Sequence, residues 1–232
     1  MSSPAAVDLL LALLEPGDAW DVSGNEVIGR LQDAGLAASP ARVMARLLRL
    51  ETQGLVRVER QPEHRFRLTP AGEEAAYAHG PGSPIDVTLV MADLVGFVAY
   101  TTRRGDKAAH RAAWSFQRCA EQSLQAGGGD AVKGLGDGVL GTAPSAKAAL
   151  TAVRELAHHC RDLDGEPWQL RAAVHRGRPV AHRGDLFGAD VNLVARMCDV
   201  ANPGEALLTG GGTEHLDLRG LDHPVTVERV LL

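Results

Sequence analysis

The sequence predicts an α+β protein built from two domains, and three observations support this. Residues before about position 79 show mostly helical periodicity, with apolar residues recurring at helical spacing. The segment 79–84, His-Gly-Pro-Gly-Ser-Pro, contains glycines and prolines that cannot continue a helix or a central strand. A near-continuous apolar run at Val87–Ala92 follows, as in a strand buried on both faces. We therefore expect domains at 1–78 and 85–232, joined by a linker at 79–84.

The composition excludes several classes of protein. Of the 232 residues, 45% are apolar and 23% are charged, which is typical of a globular chain. No apolar stretch approaches the roughly 20 residues of a membrane span, and no basic segment followed by an apolar core opens the chain. The three cysteines are widely spaced and fit neither a disulfide framework nor a zinc site. We expect a cytoplasmic protein with no membrane partner.

The first domain is predicted to contain three helices, two short strands and a closing helix. Ser23, with Glu26 three residues later, is a capping box at a helix start. Ser39-Pro40 places serine at a helix cap and proline at the first helical position. The predicted elements are helices over 4–14 and 23–36, a helix from Ser39-Pro40 that ends at Gly54, strands over 55–59 and 65–68, and a helix from Thr69-Pro70 through Ala78.

This order is that of a winged helix-turn-helix, with the two strands as the wing. The stretch from Leu50 through Leu55-Val56 to Leu68–Gly72 resembles bacterial transcriptional regulators of the PadR and MarR type. Such a resemblance implies binding to double-stranded DNA, in which a basic patch contacts phosphates and docks a recognition helix. The candidate DNA-binding residues are Arg42, Arg46, Arg49, Arg57, Arg60 and Arg65. Two alternatives remain: the arginines are only solvated, or the domain docks proteins.

The second domain is predicted to follow a strand-helix-strand-strand-helix-strand order, which is the ferredoxin-like arrangement. After the strand at Val87–Ala92 the sequence predicts a long helix, a hairpin, a helix and a strand, and then further elements. In order these span 98–125, 131–141, 145–163 and 169–175, followed by a strand over 178–181, a helix over 189–200 and strands over 206–209 and 225–231. His175, at a strand end, is expected to have a structural role.

Two aspartates occupy the ends of neighbouring predicted strands. Asp93 directly follows the first strand, and Asp137 lies at the tip of the hairpin. Because neighbouring strands lie ~4.8 Å apart, the two carboxylates can share a metal. Hard oxygen ligands of this kind suit Mg²⁺ or Mn²⁺ completed by phosphate oxygens. Either fragment alone also fits an ordinary turn, so the combination carries the prediction.

Three segments together resemble the catalytic domain of class III adenylyl/guanylyl cyclases, over nearly all of 85–232. They are Ala92–Phe97 around Asp93, Lys133–Gly138 around Asp137, and Gly184–Arg196. The resemblance implies a metal site for two Mg²⁺ or Mn²⁺ ions formed by Asp93, Leu94 and Asp137. It also implies that Lys133 and Asp185 select the purine. This pair suits adenine, whose N1 accepts and whose N6 donates a hydrogen bond.

The same resemblance assigns the remaining site residues. Asn192 and Arg196 match the catalytic pair of the family, and their i, i+4 spacing puts them on one helix face. Arg219, in Leu218-Arg219-Gly220-Leu221, matches a basic residue that contacts the triphosphate. The backbone N–H groups of Gly96 and Phe97, at a helix start, can cradle phosphate.

The resulting expectation is an adenylate cyclase that converts ATP to 3′,5′-cyclic AMP and pyrophosphate and is coupled to a DNA-binding winged helix. The resemblance implies a homodimer whose sites lie at the subunit interface. The metal aspartates come from one subunit, and Asn192, Arg196, Lys133 and Asp185 come from the other. One alternative is a nucleotide-sensing transcriptional regulator whose cyclase domain is slow or inactive. In the other alternative, the N-terminal domain regulates cyclase activity through protein contacts.

Overall fold

The computed structural model describes residues 22–33, 39–60, 64–78, 84–182 and 185–232. The contacts divide the chain into two compact units. One runs through Ile85 and takes in Val180–Leu186, and the other comprises Asp86–Pro179 and Phe187–Leu232. The predicted helix at 4–14 and residues 79–83 of the predicted linker lie outside the described residues. Within the described ranges, no helix has the length and apolarity that crossing a membrane requires.

The first unit contains three helices and a three-stranded antiparallel sheet in the order β1-β3-β2. Every one of these elements contributes apolar residues to its core, among them Val27, Val43, Leu47, Leu50 and Phe66. The elements are β1 (Val22–Ser23), α1 (Gly24–Asp33), α2 (Pro40–Thr52), β2 (Val56–Glu59), β3 (Arg65–Leu68) and α3 (Pro70–Ala78).

The predicted helix caps are present. The backbone N–H of Ser23 donates to Glu26 Oε2 at 2.7 Å, and the N–H of Glu26 donates to Ser23 Oγ at 3.2 Å. Ser39 Oγ accepts from the N–H of Arg42 at 3.4 Å, and Pro40 begins α2. These side chains satisfy N–H groups that lack partners in the first turn of a helix. The local sequence therefore fixes where α1 and α2 begin.

The second unit is built on a six-stranded sheet in the order β11-β10-β7-β4-β6-β5. Its last four members have the strand order of a ferredoxin-like sheet, as predicted from the element order. The elements are β4 (Val87–Leu94), α4 (Phe97–Arg104), α5 (Asp106–Ala126), β5 (Asp130–Gly134), β6 (Gly138–Ala143), α6 (Ala146–Cys160), β7 (Leu170–Gly177), α7 (Ala189–Val200), β10 (Glu205–Leu216) and β11 (Val225–Leu231). Between β7 and α7 in the chain, β8 (Val180–His182) and β9 (Asp185–Phe187) form a separate two-stranded sheet, and all of it except Phe187 belongs to the first unit.

Alternation along β4 and β7 separates the two faces of this sheet, because successive side chains point to opposite sides. One face packs with α5 and α6 through Val90, Ala92 and Leu94 of β4 and Leu170, Ala172 and Val174 of β7. The residues between them point to the other face, where α7 lies. Asp93, Arg171 and His175 are on that side, so they are the side chains that can form a site with α7.

Two predicted elements differ from the structure. The single helix predicted over 98–125 is wrong, because α4 and α5 are separated at Gly105, whose φ of 79° leaves the helical region. The strand predicted over 206–209 continues to Leu216 as β10. It does so through a bulge in which Thr209 and Glu214 both pair with Val227. Consecutive glycines at 210–212 allow the chain to leave the strand pairing here, with φ of 87° at Gly210 and 77° at Gly212.

Candidate active site

The two predicted metal aspartates lie side by side. β4 and β6 are antiparallel neighbours in which Asp93 pairs with Gly138, so the preceding residue, Asp137, comes next to the end of β4. The N–H of Leu94 donates to the carbonyl oxygen of Asp137 at 3.0 Å. The turn is closed by the N–H of Leu135, which donates to the carbonyl oxygen of Gly138 at 2.8 Å. The hairpin therefore holds Asp137 beside Asp93 through backbone hydrogen bonds.

Gly138 leaves room for the Asp93 carboxylate. A Cβ atom at this position would lie 3.3 Å from Asp93 Oδ1. The two carboxylates form a donor set of the kind that holds Mg²⁺ together with substrate phosphates. The side chain of Leu94 is buried in the core, so only its carbonyl oxygen is a possible ligand. No group of three or more His, Cys, Asp or Glu suited to a metal ion occurs among the described residues.

Arg171 is a site residue that the sequence reasoning missed. Its Nε and Nη2 donate to Asp93 Oδ2 at 2.8 and 2.6 Å, because the two residues face each other across β4 and β7. Burial nevertheless raises the pKa of the Asp93 carboxyl, and the negative charges of Asp137 and Asp199 add to this against the lowering by Arg171. The available signal was a lone arginine in the apolar run 170–174, but its partner depends on a strand register that the sequence does not reveal.

The predicted catalytic helix is present as α7, with the bounds predicted. Asn192 and Arg196 are both exposed on it, on a face turned away from the buried Val194 and Met197. The guanidinium of Arg196 lies 3.5 Å from the carboxylate of Asp199, and both side chains are about half exposed. Arg171 Nη1 donates to the carbonyl oxygen of Asp199 at 2.9 Å. The end of α7 therefore lies beside the Asp93–Arg171 pair.

The predicted base-selecting residues occupy other elements. Lys133 is half-buried on β5 and pairs with Leu140 of β6. Because β6 separates β5 from β4, Lys133 is about two strand spacings, or roughly 10 Å, from β4. Asp185 begins β9, and its Oδ1 accepts from the N–H of Leu186 at 2.7 Å. Arg219 is exposed in the turn after β10.

The predicted phosphate cradle coincides with the start of α4. Gly96 has a left-handed φ of 83°, and the helix begins at Phe97. Gly96 supplies no side-chain cap to the first turn. The N–H of Val95 is satisfied by the carbonyl oxygen of Gln169 at 2.9 Å. Phe97, where this helix begins, lies three residues after Leu94 and four after Asp93 in the chain.

The predicted DNA-binding arginines differ in their surroundings. Arg60 forms two hydrogen bonds with Glu51, at 3.0 and 2.6 Å, which link the hairpin to α2. On α2 the buried face consists of Val43, Leu47 and Leu50. The other candidates surround that face or lie on the hairpin: Arg42 and Arg57 are exposed, and Arg46, Arg49 and Arg65 are half-buried.

Comparisons with known proteins concern the second unit. No family model matches the chain. An adenylate cyclase of Glutamicibacter nicotianae is 32% identical over 155 residues, covering 62% of this chain and 37% of that protein. A pH-sensitive adenylate cyclase of Mycobacterium tuberculosis is 34% identical over 151 residues, covering 63% of this chain and 36% of that protein. The chain thus spans little more than a third of the length of these relatives.

Solved structures show the same fold. The adenylyl cyclase CyaB from P. aeruginosa superposes with a TM-score of 0.58 at 17% identity, over 66% of this chain and 96% of that chain. The guanylyl cyclase Cya2 superposes with a TM-score of 0.52 at 17% identity, over 64% of this chain and 92% of that chain. The second unit therefore has the mixed α+β fold of an adenylyl/guanylyl cyclase domain.

Proposed function

We propose that the C-terminal domain is an adenylate cyclase that converts ATP to 3′,5′-cyclic AMP and pyrophosphate. The observation that carries the proposal is that Asp93, at the end of β4, and Asp137, directly before β6, lie side by side in a cyclase fold. Asn192 and Arg196 share an exposed face of α7, where they are accessible to a second copy of the chain. The names of the relatives, which are adenylate cyclases, favour ATP over other nucleotides.

Asp93 and Asp137, with the carbonyl oxygen of Leu94, would hold two Mg²⁺ or Mn²⁺ ions. Ions bound there would lower the pKa of the ribose 3′-hydroxyl and neutralise the triphosphate. The N–H groups of Gly96 and Phe97 would bind phosphate oxygens at the start of α4. Burial of Asp93 strengthens this electrostatic role, because charges interact more strongly where water is partly excluded.

Polar and cationic side chains would act on the ribose and on the phosphates. Asn192 orients the ribose, and Arg196 stabilises the charge that builds on the α-phosphate and on the leaving pyrophosphate. Arg219 contacts the triphosphate. Arg171 donates to Asp93, and its guanidinium would be available to a phosphate if a cation took its place on that carboxylate. These side chains would act as hydrogen-bond donors held in fixed positions, and their roles do not depend on a change of protonation state.

Base choice would depend on Lys133 and Asp185. A lysine ammonium donates to the N1 acceptor of adenine, and an aspartate accepts from its N6 amino group. Guanine presents the reverse pattern of donor and acceptor, so the same two side chains would reject GTP. The site would form between two copies of the chain, with Lys133, Asp185, Asn192 and Arg196 from the copy that does not supply the metal aspartates.

The proposal is tested by incubating purified protein with ATP or GTP and Mn²⁺ and identifying the product. We expect cyclic AMP from ATP, and no product from Asp93→Asn or Asp137→Asn. The matched control is Asp86→Asn, which removes an exposed carboxylate directly before β4, where Asp86 forms an ion pair with Arg176 at 3.0 Å. Tight ATP binding without cyclic product over hours would reject catalysis and favour a nucleotide sensor.

A second function is proposed for the N-terminal unit, as a winged helix that binds double-stranded DNA. Its support is the order of α1, α2 and the β2–β3 hairpin, with arginines around the exposed part of α2. In a dimer, two such helices about one DNA turn apart, ~34 Å, would prefer a two-fold-related operator. Nucleotide binding can change DNA affinity only if it favours one dimer geometry, and the coupling must be reciprocal.

Selection from genomic DNA by the full-length protein, with and without an ATP analogue, tests this second function. We expect enrichment of a two-fold-related sequence, with affinity that falls steeply as salt rises. Arg42→Gln should weaken binding. Arg60→Gln is a second variant, which also removes the link between the hairpin and α2 through Glu51. If no sequence is enriched, the unit docks a protein, and the cyclase proposal is unaffected.

A further inference from the structure

The first turn of α7 is held in an unusual way. Its N-cap residue is Gly188, with φ of 126°, which provides no side-chain cap. The buried face of the helix consists of Val194, Met197 and Cys198. Asp190 continues this face one turn earlier, since it lies four residues before Val194. A carboxylate therefore occupies the sheet-facing position where an apolar side chain is usual. The groups that bind this carboxylate determine how the first turn of α7 packs against the sheet.

Asp190 is bound on both carboxylate oxygens. Its Oδ1 lies 3.0 Å from His175 Nε2, and its Oδ2 accepts from the backbone N–H of Arg178 at 2.7 Å. His175 Nδ1 lies 2.8 Å from Thr209 Oγ1. Because an ionised carboxylate only accepts, His175 Nε2 is the donor in its bond to Asp190. The chain Thr209–His175–Asp190 thus joins β10, β7 and α7.

Two further observations show that this network is built into the fold. The His175 side chain is only 13% exposed, so its ring is held by packing as well as by hydrogen bonds. At Gly177, two residues further along β7, an added Cβ would lie 2.5 Å from Asp190 Cγ. Glycine at this position is therefore what allows Asp190 to reach the strand. Burial opposes ionisation of Asp190, but the Arg178 N–H and His175 hold its pKa below the ordinary range.

The network acts on the residues proposed for catalysis through helix geometry. Successive helical residues are about 100° apart, so Asp190 and Asn192 point in nearly opposite directions. Fixing Asp190 against the sheet therefore fixes the direction of Asn192 away from it, and with it Arg196 one turn later. Rotating the first turn about the helix axis by only part of the angle between successive residues would move the Asn192 amide by an ångström or more.

We propose that Asp190, held by His175 and Thr209, is a positioning residue that sets the rotation of α7 and so aims Asn192 and Arg196 at the nucleotide. The inference rests on the proposed cyclase function. It predicts loss of turnover at nearly constant nucleotide affinity, because the network touches no substrate group. Misplacement by about 1 Å can cost up to ~10²-fold in rate.

The test measures kcat and KM for ATP in full-length Asp190→Ala, Asp190→Asn and Thr209→Val. We expect kcat to fall about tenfold or more in Asp190→Ala while KM changes by less than about threefold, with Asp190→Asn intermediate because its amide oxygen still accepts one bond. Thr209→Val, which leaves Asp190 in place, should show a smaller loss in the same direction. Asp86→Asn is the matched control and should retain wild-type constants.

Deuterium exchange of the same proteins supplies a readout that does not require turnover. The amide of Arg178 and the amides of the first turn of α7 should exchange faster in Asp190→Ala, while the amides of β4 stay protected. Wild-type kcat in a folded Asp190→Ala would overturn the inference, and so would a rise in KM that accounts for the whole loss. If the wild-type protein forms no cyclic product, the cyclase proposal fails, and unchanged exchange at Arg178 and α7 would then reject the positioning role separately.

Discussion

Arg171 Nη2 lies 2.6 Å from Asp93 Oδ2, so the carboxylate proposed to bind metal already has a cation bound to it. The two side chains are only 31% and 19% exposed, and removing either partner leaves the other charge poorly solvated. A divalent cation bound by Asp93, as proposed, would therefore compete with Arg171 for the same oxygen.

Arg171→Ala should separate metal binding from catalysis. Without its competitor, Asp93 should bind Mn²⁺ more tightly in the absence of nucleotide, which a titration followed by electron paramagnetic resonance would measure. Cyclic AMP formation should fall by about 10²-fold, because a phosphate donor is lost. Arg176→Ala is the control, since Arg176 lies on the same strand and pairs with the exposed Asp86. Unchanged Mn²⁺ affinity would show that the pair does not limit metal binding.

Mixing two inactive variants tests whether the site is shared between subunits. Asp93→Ala and Asn192→Ala chains should each be inactive alone. After subunit exchange, half of the dimers are mixed, and one of the two sites in each mixed dimer has a full set of residues. About one quarter of wild-type activity should return. Exchange proven by mass spectrometry with no recovered activity would place all site residues in one subunit.

Base selection should depend on Lys133 and Asp185 together. Replacing both should reduce the preference for ATP over GTP much more than it reduces thermal stability, because a site built to pair with one base edge rejects the other. Competition between the two nucleotides in one reaction gives the ratio of kcat/KM directly. Equal use of ATP and GTP by the unmodified protein would mean that these residues do not read the base.

The lowered pKa of Asp190 predicts a pH-dependent contribution to stability. An aspartate whose pKa is lower in the folded than in the unfolded chain, about 3.9, stabilises the fold above that value. This stabilisation is lost as pH falls through the folded pKa. Urea unfolding should therefore show wild type more stable than Asp190→Asn at pH 7, with the difference shrinking below about pH 4. A difference that stays constant with pH would assign the effect to shape instead of charge.

Local signals in the sequence predicted much of the fold because they act over a few residues. The start of α2 follows from Ser39 and Pro40, and α7 has the predicted bounds, Ala189–Val200. The break at Gly105 was missed because a glycine inside a helical pattern is usually tolerated, and its φ of 79° depends on the tertiary structure. The pairing register between strands far apart in the sequence could not be predicted either. Asp93 and Asp137 could be placed at neighbouring strand ends, but the partner of Arg171 could not be identified.

The bulge in β10 provides a place where the chain can be lengthened without moving a strand. Residues 210–213 leave the ladder between Thr209 and Glu214, so the number of residues there is not set by pairing with β11. Gly212 must stay glycine, since a Cβ would meet the carbonyl oxygen of Val227 at 2.3 Å, whereas nothing lies within 4 Å of the corresponding position at Gly210. Longer loops add little entropic cost. A short epitope or fluorophore tag inserted after Gly210 would therefore report on the domain while leaving its sheet intact.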